Sequence, residues 1–177
     1  MATKPLANIH VVITRPKENA KALIALLEQS GASVIAFPTV AIEAISIKSE
    51  NLKKLHPLNA YDMLIFTSVY AVQHAMPYIK SALATLSPKT KFIAIGDATK
   101  EKLRQQSVLK VISPKEKFGS EALLQMPEFD QCQGKRILIF SGENPRPLLK
   151  NSLMQRQAQV ESVAVYRRMP IKADPQI

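Results

Sequence analysis

Short apolar runs recur along this chain, and four of them end in a small polar crest. Val11-Val12-Ile13 leads into Thr14-Arg15-Pro16, and Leu64-Ile65-Phe66 leads into Thr67-Ser68. Phe92-Ile93-Ala94-Ile95 leads into Gly96-Asp97-Ala98-Thr99, and Ile137-Leu138-Ile139-Phe140 leads into Ser141-Gly142-Glu143-Asn144. Runs that are apolar at every position suit strands covered on both faces, the habit of parallel α/β sheets. The pattern predicts strands over 10–14, 34–37, 63–66, 91–95, 110–112, 136–140 and 160–166. Between them, apolar residues at helical spacing predict helices. The first covers 18–30, with Ala20, Leu23, Ile24 and Leu27 on one face, and Gly31 is placed to end it with a positive φ. Others are expected over 68–76, where Pro77 interrupts, then 99–106, 121–126 with Ser120 as N-cap, and 147–157. Residues 40–47 alternate instead, like a half-exposed antiparallel strand that links two units. Alternation of strand and helix at this spacing argues for an α/β fold with a parallel sheet.

The chain also echoes itself. A shift of 126 positions lays His10-Val11-Val12-Ile13 on Arg136-Ile137-Leu138-Ile139 and Gly31-Ala32 on Gln157-Ala158. Two readings fit: βαβ units resemble one another in general, or the chain holds two pseudo-equivalent domains. On the second reading, the segment before Val40 supplies too few elements to bury both faces of a sheet, and two strands alone are marginal in water.

Composition narrows the chemistry. A formal net charge of +10 favours anionic partners, such as nucleic acid, an acidic membrane surface or a polycarboxylate. The positive charges are scattered, without a Lys/Arg tract, which weighs against nucleic acid. No run approaches the length of a membrane span, and no signal-peptide core is visible near the start. A single cysteine, Cys132, fits a reducing cytosol rather than a disulfide framework. His10, His56 and His74 are scattered and propose no metal site, and neither a Rossmann fingerprint nor a P-loop is present.

The crests therefore carry the candidate chemistry, because ligands of open α/β sheets bind outside the carboxyl ends of the strands. Each crest admits a plain structural role as well. Thr14 and Arg15 serve either a turn that hands Pro16 to a helix start, or a cleft that needs a hydroxyl and a guanidinium. Thr67 and Ser68 cap a helix and also offer an anion its free N–H groups. Gly96 to Thr99 follow the same logic. Arg146, in the loop after Ser141, is able to grip a carboxylate with both arms of its fork. Tyr166, ending the last strand, either packs there or donates a proton, since a phenol keeps its proton at neutral pH.

Taken in order, these pieces resemble the uroporphyrinogen-III synthase family. The matching segments are Ile13-Thr14-Arg15-Pro16, Tyr61 to Ser68 with Ala71-Val72, and Ala94-Ile95-Gly96 with Thr99 and Leu103. They continue with Ser120-Glu121 and Leu123-Leu124, then Gly142-Glu143 with Arg146, then Val165-Tyr166-Arg167-Arg168 with Pro170. The chain departs from the family at Tyr70 (usually Asn), Lys100 (Ala), Ser141 (Arg) and Gln157 (Gly). The resemblance implies two flavodoxin-like α/β domains joined by a two-stranded linker. The boundaries expected here are 1–38 for the first half of domain one, 39–46 for a linker strand, 47–163 for domain two, and 164–177 for the return strand. Domain one would then be incomplete, and the chain a truncated form that is inactive as a monomer and whose N-terminal unit is either poorly ordered or packed against a neighbouring copy, whereas the full-length family member is expected to be monomeric.

The same resemblance implies a cytoplasmic enzyme of tetrapyrrole biosynthesis, with no metal or organic cofactor and with no nucleic acid or membrane as partner. Its reaction is the cyclisation of hydroxymethylbilane to uroporphyrinogen III, with inversion of the last ring. Tyr166 is the expected proton donor, and Thr14, Arg15, Thr67, Ser68, Gly96, Thr99, Ser120 and Arg146 the expected walls for the carboxylate-rich substrate. The competing readings are a non-enzymatic two-lobed ligand-binding module and a regulatory or nucleic-acid partner.

Overall fold

A computed structural model describes residues 4–56 and 58–171. In chain order it contains β1 (His10–Ile13), α1 (Lys17–Gln29), β2 (Ser33–Ala36), β3 (Val40–Ala44), α2 (Ser49–Leu52), β4 (Met63–Phe66) and α3 (Val69–Ile79). It continues with β5 (Lys91–Ala94), α4 (Asp97–Gln105), β6 (Val111–Ile112), α5 (Ser120–Leu124), β7 (Arg136–Gly142), α6 (Leu148–Gln155) and β8 (Gln159–Pro170). The expected return strand beyond Ile171 lies outside the described residues.

Contacts divide the chain into two compact units, Met1–Glu43 with Arg168–Ile177, and Ala44–Arg167. In the first, β1 and β2 pair in parallel from His10↔Ser33 to Ile13↔Ala36, and α1 packs against β2. Ile13 and Ala20 are buried, whereas Val12 is 57% and Ile35 46% exposed, so one face of this small sheet is open to solvent.

The long sheet has the order β3-β8-β7-β4-β5-β6, and its strands β7, β4, β5 and β6, with most of β8, belong to the second unit. From β8 to β6 every pairing is parallel, with Phe66 opposite both Ala94 and Phe140. At the other edge Ile45 N–H bonds Val165 O, while Ile171 N–H bonds Thr39 O. These pairs run in opposite senses, so β3 and β8 form the antiparallel ladder that the alternating pattern predicts. Met63, Ile65, Ile93, Ile137 and Ile139 pack with Leu123, Leu124, Leu149 and Leu153, so α5 and α6 cover one face. Helix α3 packs against β7 and α4 against β5. At the sheet's amino end, Asp62 ties three strands together. Its N–H bonds Arg136 O at 2.8 Å, its own O accepts from Lys91 N–H at 2.8 Å, and its carboxylate accepts Arg136 N–H at 2.9 Å. That last bond holds the carboxyl below its ordinary pKa.

The chain runs β4, β5, β6 in one direction across the sheet, then returns to place β7 on the far side of β4. The gap between the carboxyl ends of β4 and β7 is therefore the topological switch point, where such folds bind ligands.

Three helices end in the same way. After α1, Gly31 takes φ +99°, its N–H bonds Glu28 O, and Ala32 N–H bonds Leu27 O. After α6, Gln157 and Ala158 repeat these bonds to Met154 and Leu153, with Gln157 at φ +61°. Ser107, at φ +68°, does the same after α4. This is the Schellman arrangement, whose turning residue favours glycine. The echo of Gly31 on Gln157 thus marks two equivalent helix ends. Gln157→Gly should stabilise the protein by about 1 kcal/mol, because it removes the side-chain strain of the left-handed region. Chemical denaturation checks it, and an unchanged or lowered midpoint would contradict the assignment.

Three expectations about local structure need correction. Pro77 does not interrupt a helix, because α3 runs through it to Ile79 before tightening into a 3-10 turn over Lys80–Thr85. The missing N–H and the ring fall at an exposed position near the helix end, where they disturb little. Ser120 is not the N-cap of α5 but its first residue. Gly119 precedes it at φ +110°, a conformation that serine avoids. Tyr166 does not end the last strand, since β8 continues to Pro170.

Candidate active site

The site is assembled where β4 and β7 end. Thr67 fastens the two strands, since its N–H and its hydroxyl both donate to Phe140 O at 3.1 Å. Its hydroxyl is therefore committed to the backbone. Ser68 follows in extended conformation as the N-cap of α3, and its Oγ accepts Ala71 N–H at 2.9 Å. The same hydroxyl is hydrogen-bonded to the phenol oxygen of Tyr166 at 3.1 Å.

Tyr166 reaches this position through a β-bulge. The register of β7 and β8 slips between Ser141 and Gly142, setting Gly142 opposite Tyr166, and Glu143 N–H bonds Tyr166 O at 2.8 Å. Gly142 then lies beneath the ring. A Cβ there would stand 2.8 Å from Cε2 and Cζ of Tyr166 and 3.1 Å from its oxygen. Any side chain at 142 would displace the phenol. Tyr70 is tilted against Tyr166 with ring centroids 5.7 Å apart, and His74 lies 6.3 Å away. Partial burial lowers the pKa of His74, which favours its neutral form beside the phenol. Tyr166 itself is 3% exposed. Its oxygen lies beside the N-cap of α3, just past the carboxyl end of β4.

The other expected residues are dispersed. Gly96 is an extended N-cap of α4, and Phe118 packs over it with Cδ1 3.0 Å from where a Cβ would be. Thr99 does not line a surface. Helix α4 begins at Asp97, which turns Thr99 inward with Leu103, and it is 3% exposed. Ser120 is partly exposed at the start of α5. Arg146 does not await a ligand carboxylate, because its guanidinium pairs with Glu121 on α5. Both side chains of that pair are largely exposed, so it contributes little to stability. Thr14 and Arg15 belong to the other unit. Both are exposed, and Thr14 O accepts from Thr39 N–H at 3.2 Å.

Among the described residues no group of three potential ligands could hold a metal ion, and no helix is long and apolar enough to cross a membrane. Gly142, Tyr70 and His74 are absent from the expected site. Gly142 had a visible signal, a lone glycine closing a wholly apolar strand, whereas the two aromatic residues had only their place on the first turns of α3.

Known proteins give this arrangement its context. The family model described as uroporphyrinogen-III synthase HemD matches residues 21–177, which leaves Thr14 and Arg15 outside the match. The chain is 30% identical over 168 residues to the uroporphyrinogen-III synthase of Escherichia coli, covering 93% of this chain and 67% of that protein. It is 30% identical over 158 residues to the synthase of Salmonella typhimurium, covering 89% and 64%. Among solved structures, a mutant uroporphyrinogen III synthase from Thermus thermophilus superposes with a TM-score of 0.64 at 24% identity, over 95% of this chain and 64% of that one. That of Helicobacter pylori gives 0.54 at 15%, over 82% and 59%. The chain thus spans about two thirds of the length of the relatives it matches. A model match over most of the chain, together with that likeness to the Escherichia coli enzyme, places it plainly: the chain belongs to the uroporphyrinogen-III synthase family.

Proposed function

We propose that this chain carries the ring closure of its family, the conversion of hydroxymethylbilane to uroporphyrinogen III in the cytosol. The observation that supports it is the hydroxyl pair of Ser68 and Tyr166 at the switch point of a family member's sheet. In the first step Tyr166 gives its proton to the terminal hydroxyl of the substrate. The C–O bond breaks, the oxygen leaves as water with the bonding electrons, and the pyrrole nitrogen's lone pair closes an azafulvene. The pyrrole at the far end attacks this electrophile through its substituted α-carbon and forms a spiro intermediate. The bond from that carbon to the bridging methylene then breaks, its electrons returning to the last ring and leaving the neighbouring ring as a second azafulvene. The free α-carbon of the last ring attacks that methylene, which closes the macrocycle with the last ring inverted. The proton lost as the ring regains aromaticity returns to the phenolate, so the acid is regenerated. Holding the two ends together supplies much of the acceleration, as an orientation effect.

The substrate's carboxylates call for a positive surround, and the net charge of +10 provides it. The helix starts at Ser68, Gly96 and Ser120 add free N–H groups. Thr67, Arg146, Thr14 and Arg15 remain proposed walls, with Arg146 having to leave Glu121 to take part. With this reading go the two-domain boundaries 1–38, 39–46, 47–163 and 164–177. The exposed apolar residues of β1 and β2, Val12 and Ile35, then associate two copies, since open edges and apolar patches pair with other chains.

The experiment incubates size-fractionated protein with freshly generated hydroxymethylbilane and separates the product isomers by chromatography. Type III product is expected from the associated fraction and not from the monomer. Type I product alone from every fraction would overturn the function, and type III product from a monomer would overturn the need for association.

A further inference from the structure

We infer that Ser68 is a positioning residue for Tyr166, which it orders through a short hydroxyl relay from the first turn of α3. The inference rests on the proposed function, because it assigns a role around that function's acid.

Three observations carry it. First, Ser68 Oγ accepts the N–H of Ala71 at 2.9 Å, a donor from the positive end of an eleven-residue helix. Second, Ser68 Oγ lies 3.1 Å from the phenol oxygen of Tyr166; in the relay inferred here the serine gives its hydrogen to the phenol, so that every hydrogen points the same way, from helix to serine to phenol. Successive hydrogen bonds with a common sense polarise one another. Third, the ring has little freedom to choose another partner. Gly142 lies against its edge at a distance no side chain would allow, and Tyr70 and His74 flank it.

The direction of the relay matters more than its strength. A phenol oxygen holds one hydrogen and accepts through its lone pairs. With Ser68 filling an acceptor position, the phenol's own hydrogen is turned away from α3 and left for a substrate oxygen. Were Ser68 an acceptor from Tyr166 instead, the catalytic proton would be tied up on the serine. The bond is at the long end for two hydroxyls, and catalytic contacts of unliganded sites commonly tighten when the substrate arrives. A plain capping role for Ser68 needs only its acceptor, so substitutions can separate the two functions. Thr keeps both cap and hydroxyl. Asp keeps the cap but brings no hydrogen, and it invites the phenol to donate to it. Ala loses both.

The test labels the tyrosines with carbon-13 at Cζ and identifies Tyr166 by the resonance missing from Y166F. The Tyr166 resonance is expected to move in S68D and S68A and to stay in S68T. In the type III assay kcat should fall about tenfold in S68D with KM little changed, while S68T recovers most of the turnover that S68A loses. A Tyr166 resonance unmoved in folded S68D, or full kcat in that variant, would overturn the relay. If wild-type protein forms no type III product but the resonance responds as described, the proposed function fails while the hydroxyl relay stands.

Discussion

Replacing Tyr166 by Phe should lower type III formation by roughly a hundredfold to ten-thousandfold, the range lost when a general acid is removed. The substitution deletes one oxygen and keeps the ring, which fits between Gly142, Tyr70 and His74 without it. The fold should survive, since the lost bond joins two side chains and not two strands. The expected signature is a fall in kcat with substrate affinity retained, because the phenol acts on the reacting oxygen and the carboxylates are held elsewhere. Product chromatography with circular dichroism checks both halves. Near-normal kcat in folded Y166F would remove Tyr166 as the acid and leave it a packing residue.

The largest effect on stability is expected at Phe66. It is wholly buried at the end of the central strand β4, stacked on Phe140 with centroids 4.9 Å apart and near Phe92 at 6.4 Å. Phe66→Ala would leave a cavity among these rings, and truncations of this kind cost about 3–5 kcal/mol. That is a large part of the 5–15 kcal/mol that typically holds a domain together. The same change loosens the strand that carries Thr67 and Ser68, so turnover should fall with stability. Urea denaturation is the measure. A loss under about 1 kcal/mol would mean that the ring stack does not anchor the sheet.

The core of the second unit was readable because its strands are buried on both faces. Met63–Phe66 and Ile137–Phe140 are apolar at every position, which suits a central parallel strand, and their length is too short for a buried helix. The crests followed, since the residues after such strands fall at the carboxyl edge. What the chain concealed was the fine placement of side chains within those crests. Thr99 looked like a helix start. With α4 beginning two residues earlier, the helical turn puts Thr99 on the face of Leu103, four residues on, and buries it. Arg146 gave no hint of Glu121, because the partner is set by how the loop after β7 meets helix α5. The role of Gly142 depends on a slipped register with Tyr166 on another strand, and register between distant strands has no local signature. Gln157 was visible as a departure from glycine, but its physical meaning, a left-handed helix end, appears only with the backbone angles.

The first unit takes its residues from both sides of the second, and the second is bounded by Ala44 and Arg167, which flank the hydrogen bond between Ile45 and Val165. This order of assembly has a consequence on the ribosome. Strand β4 pairs with β5 soon after both emerge, but its other neighbour, β7, lies more than seventy residues downstream. At typical synthesis rates of about 5–20 residues per second, that edge of β4 waits roughly 4–15 s for its partner. Through that interval the nascent chain displays Met63 to Phe66 as an apolar strand with one edge unpaired. The demand for chaperone protection during synthesis should therefore fall on β4 and lapse once β7 has left the exit tunnel.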